Sequence, residues 1–565
     1  MFIRSLTIER YRRIEHLDWK PTARINCLIG PGDAGKTTIL SAIELLLDPR
    51  PTPAASEYDY HRRKVELGYQ ITAVLGDLDE DAVSAMRTPP LHGWLEGDLR
   101  PLPDEGGAEP VLVARVVGSP ELEVSHVLVA PGDADEVAFS VANRRRLLLS
   151  RVATGARAST EFRLGRGTLL DRHASGASLR AALRGAVSDA SAGLELPLEA
   201  DQALQRLRTL FSEAGLPDEL QLSIITPQGW SLLSLVGLLE GHEPAEAVPL
   251  ALAGAGTRQL ALFRLAAALM EGAPVVLLDE PELGLEPYRQ RRLVAEIRRT
   301  IGDHGQAFLT THAPAVLEAL DIEEISRLPI GSNPVGLTGR HIARVQKQAA
   351  DSLLSRLPVL SEGPTEAGFL LPVLNHLAAE DGLSDIDGLG IRLIPRTGHP
   401  TILDEADELL AAGIQCGVFV DNENDFAGRG AALQAHPRCA FGSWAGVRNI
   451  EEAVAAWLPR NQLQQLLELA AQLRDRPVED LLQQVGECIG KPGSDSLDAL
   501  EATFGEAKLR EALACAMQAK HNPWFKTQEG GEALGKLLLE LGLPPQIDEV
   551  MRAFWQRVRQ EAGWD

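Results

Sequence analysis

Ile25-Asn26-Cys27-Leu28-Ile29-Gly30-Pro31-Gly32-Asp33-Ala34-Gly35-Lys36-Thr37-Thr38 is the stretch that decides the fold. Its first five residues are a short, mostly apolar run with the character of a buried strand. Residues 30–37 satisfy the spacing G-x-x-x-x-G-K-[ST], and TTILSAIELLL (37–47) repeats its apolar residues at helical intervals. A strand, a glycine turn and a helix in that order point backbone N–H groups and the positive end of a helix at one spot, which suits an anion. Lys36 is placed to reach the β- and γ-phosphates of a nucleotide, and the Thr37 hydroxyl to ligate Mg²⁺. Gly30, Gly32, Asp33, Ala34, Gly35, Lys36, Thr37 and Thr38 therefore form the expected ATP-binding loop.

Such a loop needs a carboxylate at the end of a second buried strand. VVLLDEPE (275–282) supplies Asp279, to hold Mg²⁺ through water, and Glu280, to polarise the attacking water. Upstream, Ala253-Gly254-Ala255-Gly256-Thr257-Arg258 is a small-residue turn opening a helix. Downstream, TTHAP (310–314) puts His312 just after another strand. An apolar strand ending in Asp-Glu is common alone, and a lone histidine is usually a bystander. The order of loop, small-residue turn, Asp-Glu and His resembles that of ABC-type ATPases. By that resemblance the N–H groups around Gly254 and Gly256 cap the γ-phosphate of the opposite subunit, and His312 senses it. One chain then cannot complete its own site, which implies a homodimer or larger assembly whose closure is coupled to ATP binding. The long stretch between Thr37 and Ala253 sets the chain apart from compact transporter ATPases.

Composition is compatible with this and adds limits. At 565 residues the chain is too long for one core, and about two to four domains are expected. Apolar residues make up 45% and charged residues 24%, the balance of a soluble globular protein. No window approaches about 18 uninterrupted apolar residues, so no membrane span is expected, and the N-terminus lacks a signal-peptide core. Cys27, Cys416, Cys439, Cys488 and Cys515 form no CxxC pair, which argues against a zinc site or a disulfide framework and suits a reducing cytoplasm. The net charge, 55 − 79 = −24, is not that of a general nucleic-acid coat protein. It leaves room for a nuclease, because a metal-dependent active site is itself a group of carboxylates.

The expected class is α/β, with an ABC/SMC-type ATPase head split by an insert. Its N-terminal part is expected at 1–155, a helical insert suited to dimerisation at 156–245, and its C-terminal part at 246–335. Gly331, Asn333, Pro334 and Gly336 mark a linker. A second α/β unit is expected at 350–460, followed by a helical region at 461–565.

In that second unit LSEGPTEAGFLLPVL (360–374) puts Glu362 at a strand end and Glu366 in the first turn of a helix. GVFVDNEND (417–425) ends another apolar strand in Asp421-Asn422-Glu423, and Glu451 follows after Asn449-Ile450. Two parallel strands ending in acids at one sheet edge make a divalent-metal pocket, whereas each acid alone is more often a solvated loop carboxylate. The order E-G-x-x-E, Gly398, D-x-[DE] over roughly 355–455 resembles the Toprim fold of topoisomerases, primases and certain nucleases. All five tyrosines precede this unit, so it has no tyrosine nucleophile, and no cysteine pattern offers a primase zinc module. Hydrolysis by activated water is left, which favours a nuclease.

An ABC-type ATPase with a long insert followed by a Toprim unit resembles the OLD (overcoming lysogenization defect) family of nucleases over nearly the whole chain, and the wording GPGDAGKTT is similar to its helicase-associated, Gabija-like branch. The resemblance implies an ATP-regulated DNA endonuclease using Mg²⁺, or Mn²⁺ or Ca²⁺, at Glu362, Glu366, Asp421, Glu423 and Glu451. It also implies a role in phage defence or DNA repair and a UvrD-like helicase partner. A lysine after the acids is implied too, with Lys526 preferred over Lys520 because it follows Trp524-Phe525. Asp33 stands where such loops carry glycine, Ala253 or Gly254 where the signature carries serine, and Glu423 where the second acid is usually Asp. The rival expectations are a RecF-like DNA-repair ATPase whose second unit binds DNA without cutting, and a transporter ATPase needing a membrane partner.

Overall fold

β3 (Ile25–Ile29), β14 (Val275–Asp279) and β15 (Gln306–Thr310) are apolar almost throughout because both faces of their sheet are covered in the computed structural model. The structure describes all residues except 49–54, 79–82, 85, 87–89, 102, 104, 132–135, 148, 153–157, 164–167, 174–197, 225–235, 242–245, 270–273, 397–398, 423–427, 445, 492–495 and 565. The chain forms two units, Met1–Leu337 and Thr338–Asp565.

In the first unit the central sheet runs β10 (Leu149–Val152), β14, β15, β3, β16 (Ile325–Arg327), β17 (Val335–Gly336). All its pairings are parallel except β16 with β17. The helix Lys36–Leu47 buries Ile39, Leu40, Ile43, Leu46 and Leu47 at the 3.6-residue period and packs beside β14 and β15. An antiparallel sheet follows the order β2 (Ile14–Trp19), β1 (Phe2–Tyr11), β4 (Tyr69–Gly76), β7 (Glu109–Gly118), β5 (Leu91–Leu95), β6 (Asp98–Arg100). β5 pairs with the first half of β7, and β8 (Val124–Leu128) with the second half; β9 (Val137–Ala138) pairs with β8. β1 buries Ile3 and then Leu6 and Ile8, a change of parity that one inserted residue explains. The register with β4 slips between Ile3 and Ser5, leaving Arg4 as the extra residue.

The region 156–245, expected to be a helical insert, needs correction. It holds the helix Leu198–Ala214, but also β11 (Leu220–Ile224) and β12 (Val236–Glu240), which pair antiparallel and continue to β13 (Val248–Pro249). Leu220-Gln221-Leu222-Ser223-Ile224 alternates with period two, the signature of a strand rather than of the helix before it. Residues 174–197 and 225–235 of this region lie outside the described residues.

The second unit is built on four parallel strands in the order β19 (Ile391–Pro395), β18 (Leu357–Ser361), β20 (Cys416–Val420), β21 (Cys439–Ser443). Phe419 meets Trp444 and Phe554 edge-on with ring centroids 5.4 and 5.1 Å apart, at the centre of a core that also takes in the C-terminal helices. The helix Pro364–Glu380 packs on the helix Gln528–Leu541 with almost no side chain between them. A Cβ on Gly368 would stand 2.0 Å from the Gln528 carbonyl oxygen, and one on Gly531 2.0 Å from that of Thr365. Only glycine permits that approach.

The expectation of no disulfide is also corrected. Cys488 and Cys515 are bonded to each other with Cα atoms 6.2 Å apart, on helices Val478–Ile489 and Glu506–Met517 that pack together. A separation of 27 residues carries no motif, so the pair was invisible to a search for close spacings. Cys27, Cys416 and Cys439 are free and buried.

Candidate functional site

The phosphate loop leaves β3 through Gly30, whose φ of +146° and 2.4 Å approach of a Cβ position to the Leu328 carbonyl oxygen exclude any side chain. Asp33 has φ +63°, a left-handed conformation that aspartate tolerates better than most residues, so it fills a position that glycine would suit. Its side chain pairs with Arg13 at 3.2 Å, both largely exposed, a contact of little energetic weight. Lys36 is buried, and its Nζ donates to the carbonyls of Gly30 (2.8 Å) and Pro31 (2.9 Å). Burial lowers its pKa, opposed by Glu280, Asp279 and Asp33. Thr38 lies half-buried in the following turn.

The parallel order of β14, β15 and β3 brings the other groups to the same sheet edge. Asp279 Oδ1 accepts from the Thr37 hydroxyl at 3.1 Å and from the Thr310 hydroxyl at 2.6 Å. Thr310 Oγ1 in turn accepts from the Glu280 N–H at 3.0 Å. Glu280 has φ +47°, a conformation that costs of order 1 kcal/mol for a side-chain-bearing residue and turns its carboxylate off the strand. His312 Nε2 stands 3.7 Å from Glu280 Oε1. Thr37, Asp279, Glu280 and His312 are thus one constellation, with Lys36 near enough to feel both acids. Thr37 and Asp279 carry the hard oxygen donors that Mg²⁺ takes, and Lys36 the charge that a triphosphate takes.

The small-residue turn opens a helix. Gly254 caps the helix Ala255–Ala267, and Arg258 Nη1 folds back onto the Ala253 carbonyl at 2.7 Å. Gly256 is buried, its Cβ position 2.5 Å from the Gly284 carbonyl oxygen, so this helix touches the turn that follows Glu280. Glu282 in that turn was not anticipated as a site residue. It is buried and accepts from the Thr311 hydroxyl and the His312 N–H. The Thr-Thr pair before His312 was the available signal.

In the second unit β18 and β20 are neighbours, so Glu362 and Asp421 emerge side by side at the C-terminal edge, with the Asp421 N–H donating to Glu362 Oε2 at 3.0 Å. Gly363 has Glu366 Oε2 2.7 Å from its Cβ position, which lets that carboxylate fold back over the turn. Asn422 donates its N–H to the Arg448 carbonyl at 2.6 Å, tying the end of β20 to the loop before Glu451. Asn449 caps the helix Ile450–Trp457 and is itself held by Gln518 at 3.2 Å. Lys526 Nζ lies 3.9 Å from Glu451 Oε1, and both it and Lys520 are exposed. Thr365 anchors this segment by donating to the Phe525 carbonyl at 3.1 Å.

The electrostatics are those of crowded acids. Burial pushes Asp421 up to about 9, aided by the charges of Glu366, Glu362 and Glu451 and opposed by Lys526. Glu366 is pushed up to about 7 by burial and then by Glu451 and Glu362. Glu451 is raised by burial against the pull of Lys526. Asp421 Oδ1 is buried without a hydrogen-bond partner among the described residues. No three of the described His, Cys, Asp and Glu side chains are close enough to hold a metal ion as placed. Glu423, expected as a further ligand, lies outside the described residues, as does Gly398. The donor set is all-carboxylate, the type a hard cation takes, and Asp421 Oδ1 has unused acceptor capacity.

Among the described residues no helix is long and apolar enough to cross a membrane. Residues 1–84 match the family model described as an AAA ATPase domain, and residues 142–318 the model described as "AAA domain, putative AbiEii toxin, Type IV TA system". No curated protein matches the chain. Solved structures similar to it include an Smc head bound to the C-winged helix domain of ScpA, at 13% identity over 61% of this chain and 100% of that one, TM-score 0.39. An Smc head with an extended coiled coil bound to the C-terminal domain of ScpA, from Pyrococcus furiosus, gives 12% over 62% and 99%, TM-score 0.38. The SMC head domain from Thermotoga maritima gives 14% over 60% and 100%, TM-score 0.29. With the loop and its acids in place, the two family matches make the first unit an AAA-type, nucleotide-binding ATPase domain.

Proposed function

We propose that the chain is an ATP-regulated, divalent-metal-dependent DNA endonuclease in which the first unit is the control element and the second cuts. The observation that carries this reading is the grouping of Glu362, Glu366, Asp421, Glu451 and Lys526 at one edge of a parallel sheet. Mutual repulsion of buried acids is costly in isolation, and such an arrangement is characteristic of functional sites. As they stand, no three of these acids are close enough to share an ion, so holding Mg²⁺ or Mn²⁺ would require Glu362, Glu366, Asp421 and Glu451 to draw together; the bound ion would supply an activated water and neutralise a phosphodiester oxygen. Lys526, about half exposed beside Glu451, adds a positive charge where negative charge builds on the scissile phosphate. The Asn449–Gln518 bond ties down the residue two before Glu451, and the Thr365–Phe525 bond the residue before Lys526.

In the ATPase unit Lys36 grips the phosphates, Thr37 and Asp279 would hold Mg²⁺, Glu280 orients the water and His312 faces the γ-phosphate. The turn at Gly254 and Gly256 would complete the site of a second copy, making the working form a homodimer or larger assembly.

Supercoiled plasmid incubated with Mg²⁺ or Mn²⁺, with and without ATP, tests the reading. Wild type should nick or cut, Asp421→Ala should not, and Lys36→Ala should cut without responding to ATP. A wild type that binds DNA but shows no metal-dependent cutting overturns it in favour of a DNA-binding ATPase.

A further inference from the structure

The turn after β14 carries an acid to which the ATPase chemistry assigns no part. Glu282 is 8% exposed, and its Oε1 accepts two hydrogen bonds from the turn after β15, from Thr311 Oγ1 at 2.8 Å and from the His312 N–H at 2.7 Å. Thr311 Oγ1 in turn accepts from the Ala313 N–H at 3.0 Å, so the bonds run through the whole corner into the helix Pro314–Ala319. The other oxygen, Oε2, is buried and has no partner among the described residues. A buried carboxylate with one oxygen unsatisfied is a costly way to join two turns.

What the bonds secure is the place of His312. Three successive residues of one turn are tied to the acidic segment of the other: Thr310 to Asp279, then Thr311 and the backbone of His312 to Glu282. The His312 ring itself is half-exposed, and among the described residues its polar contact is Glu280 Oε1 at 3.7 Å, longer than a hydrogen bond. The ring is therefore aimed by its backbone, and its backbone is held by Glu282.

We propose that Glu282 is a positioning residue for ATP hydrolysis: it clamps the Thr311-His312 corner so that the imidazole stands over Glu280 at the γ-phosphate end of the site. The proposal rests on the ATPase reading of the first unit. Acceptance at Oε1 is the working feature, so an amide oxygen in the same place serves and a methyl group does not.

The test is steady-state ATP hydrolysis by the full chain as wild type, Glu282→Gln, Glu282→Ala and Thr311→Val, with thermal melting of each. Glu282→Ala should lose about 10- to 100-fold in kcat. Its KM for ATP should stay within about threefold of wild type, since Lys36 and the loop are untouched. Glu282→Gln should restore most of kcat, and Thr311→Val, which removes one of the two donors, should fall between. If Glu282→Ala does not fold, the ordering of Glu282→Gln above Thr311→Val decides. Wild-type turnover with an unaffected Glu282→Ala, or a Glu282→Gln as inactive as Glu282→Ala, overturns the assignment alone. A wild type without turnover overturns the ATPase reading and the assignment with it.

Discussion

The backbone N–H of Asp421 donates to Glu362 Oε2 at 3.0 Å, so the two acids that end neighbouring strands are joined through the main chain of one and the side chain of the other. That bond fixes Glu362 while leaving the Asp421 carboxylate to face Glu366 and Glu451. Asp421→Asn keeps the backbone donor and the shape of the side chain but spares folding the cost of protonating, or burying charged, a carboxylate that burial pushes up to about 9. It should abolish metal-dependent cutting and, in metal-free buffer, raise stability by on the order of 1–2 kcal/mol, the trade expected where a site is assembled against repulsion. Plasmid cleavage and thermal melting in EDTA check both halves. A variant that melts below wild type without metal would show that the acids are not mutually destabilising.

Cys488 and Cys515 close a loop of 27 residues between two packed helices. The first of these helices also carries Gln484, which accepts from the Trp524 indole N–H at 3.0 Å, and the second ends at Gln518, which holds Asn449. Opening the bond relaxes the unfolded chain and should lower stability of the second unit by about 3 kcal/mol. Wild type should melt lower in dithiothreitol. Cys488→Ser should melt at the reduced position with or without reductant, and a reductant-insensitive wild type would count against the cross-link.

Local pattern carried the elements that bear the chemistry. Asp279 and Asp421 directly follow apolar runs, and Glu362 follows the run 357–360 after a single serine, because a parallel strand covered on both faces must be apolar until it leaves the sheet, and the acid marks the exit. What could not be read were contacts set by the third dimension. Thr311 and Glu282 are 29 residues apart, and Asn449 and Gln518 are 69 apart, with nothing in either segment to announce the other. The strands β11 and β12 were missed for a different reason. An amphipathic helix ending at Ala214 is followed, after residues 215–219, by the short alternation Leu220–Ile224, and short apolar runs are ambiguous between the two periods. Lys526 over Lys520 is legible from its neighbours Trp524 and Phe525, which are buried and so fix the chain immediately before Lys526.

Gly254 and Gly256 look equivalent in sequence and are not. A Cβ on Gly254 meets nothing within 4 Å, whereas one on Gly256 lies 2.5 Å from the Gly284 carbonyl oxygen and 3.3 Å from Leu285 Cδ2. A carbonyl in a packed turn cannot swing aside as a flexible side chain would. Gly256→Ala should therefore push the helix Ala255–Ala267 off the turn after Glu280, costing about 1–3 kcal/mol and lowering ATP turnover. Gly254→Ala should leave stability within about 0.5 kcal/mol of wild type. Chemical denaturation of the two variants side by side separates them, and equal midpoints would refute the contact.

His126, on β8, puts its Nε2 2.8 Å from the Leu45 carbonyl in the last turn of the helix that follows the phosphate loop. A cation would normally be welcome at a helix C-terminus. Here burial outweighs it, with Arg144 adding to the effect, and the imidazole is pushed down to about 4 despite the Leu45 bond and Asp48. The neutral ring with Nε2 protonated is the form that fits. An unfolded histidine titrates near 6.5, so between about pH 6.5 and 4 the unfolded chain binds the extra proton. The contribution of this residue is then complete above about pH 6.5 and is lost as the pH falls towards 4, by roughly 1–2 kcal/mol once partial solvent access to the ring is allowed for. His126→Gln keeps an N–H for Leu45 and does not titrate. The gap between wild type and His126→Gln melting temperatures, followed from pH 7.5 to 4.5, should move in the variant's favour by a few degrees as the pH drops. Parallel curves for the two proteins would mean that the ring protonates as easily folded as unfolded.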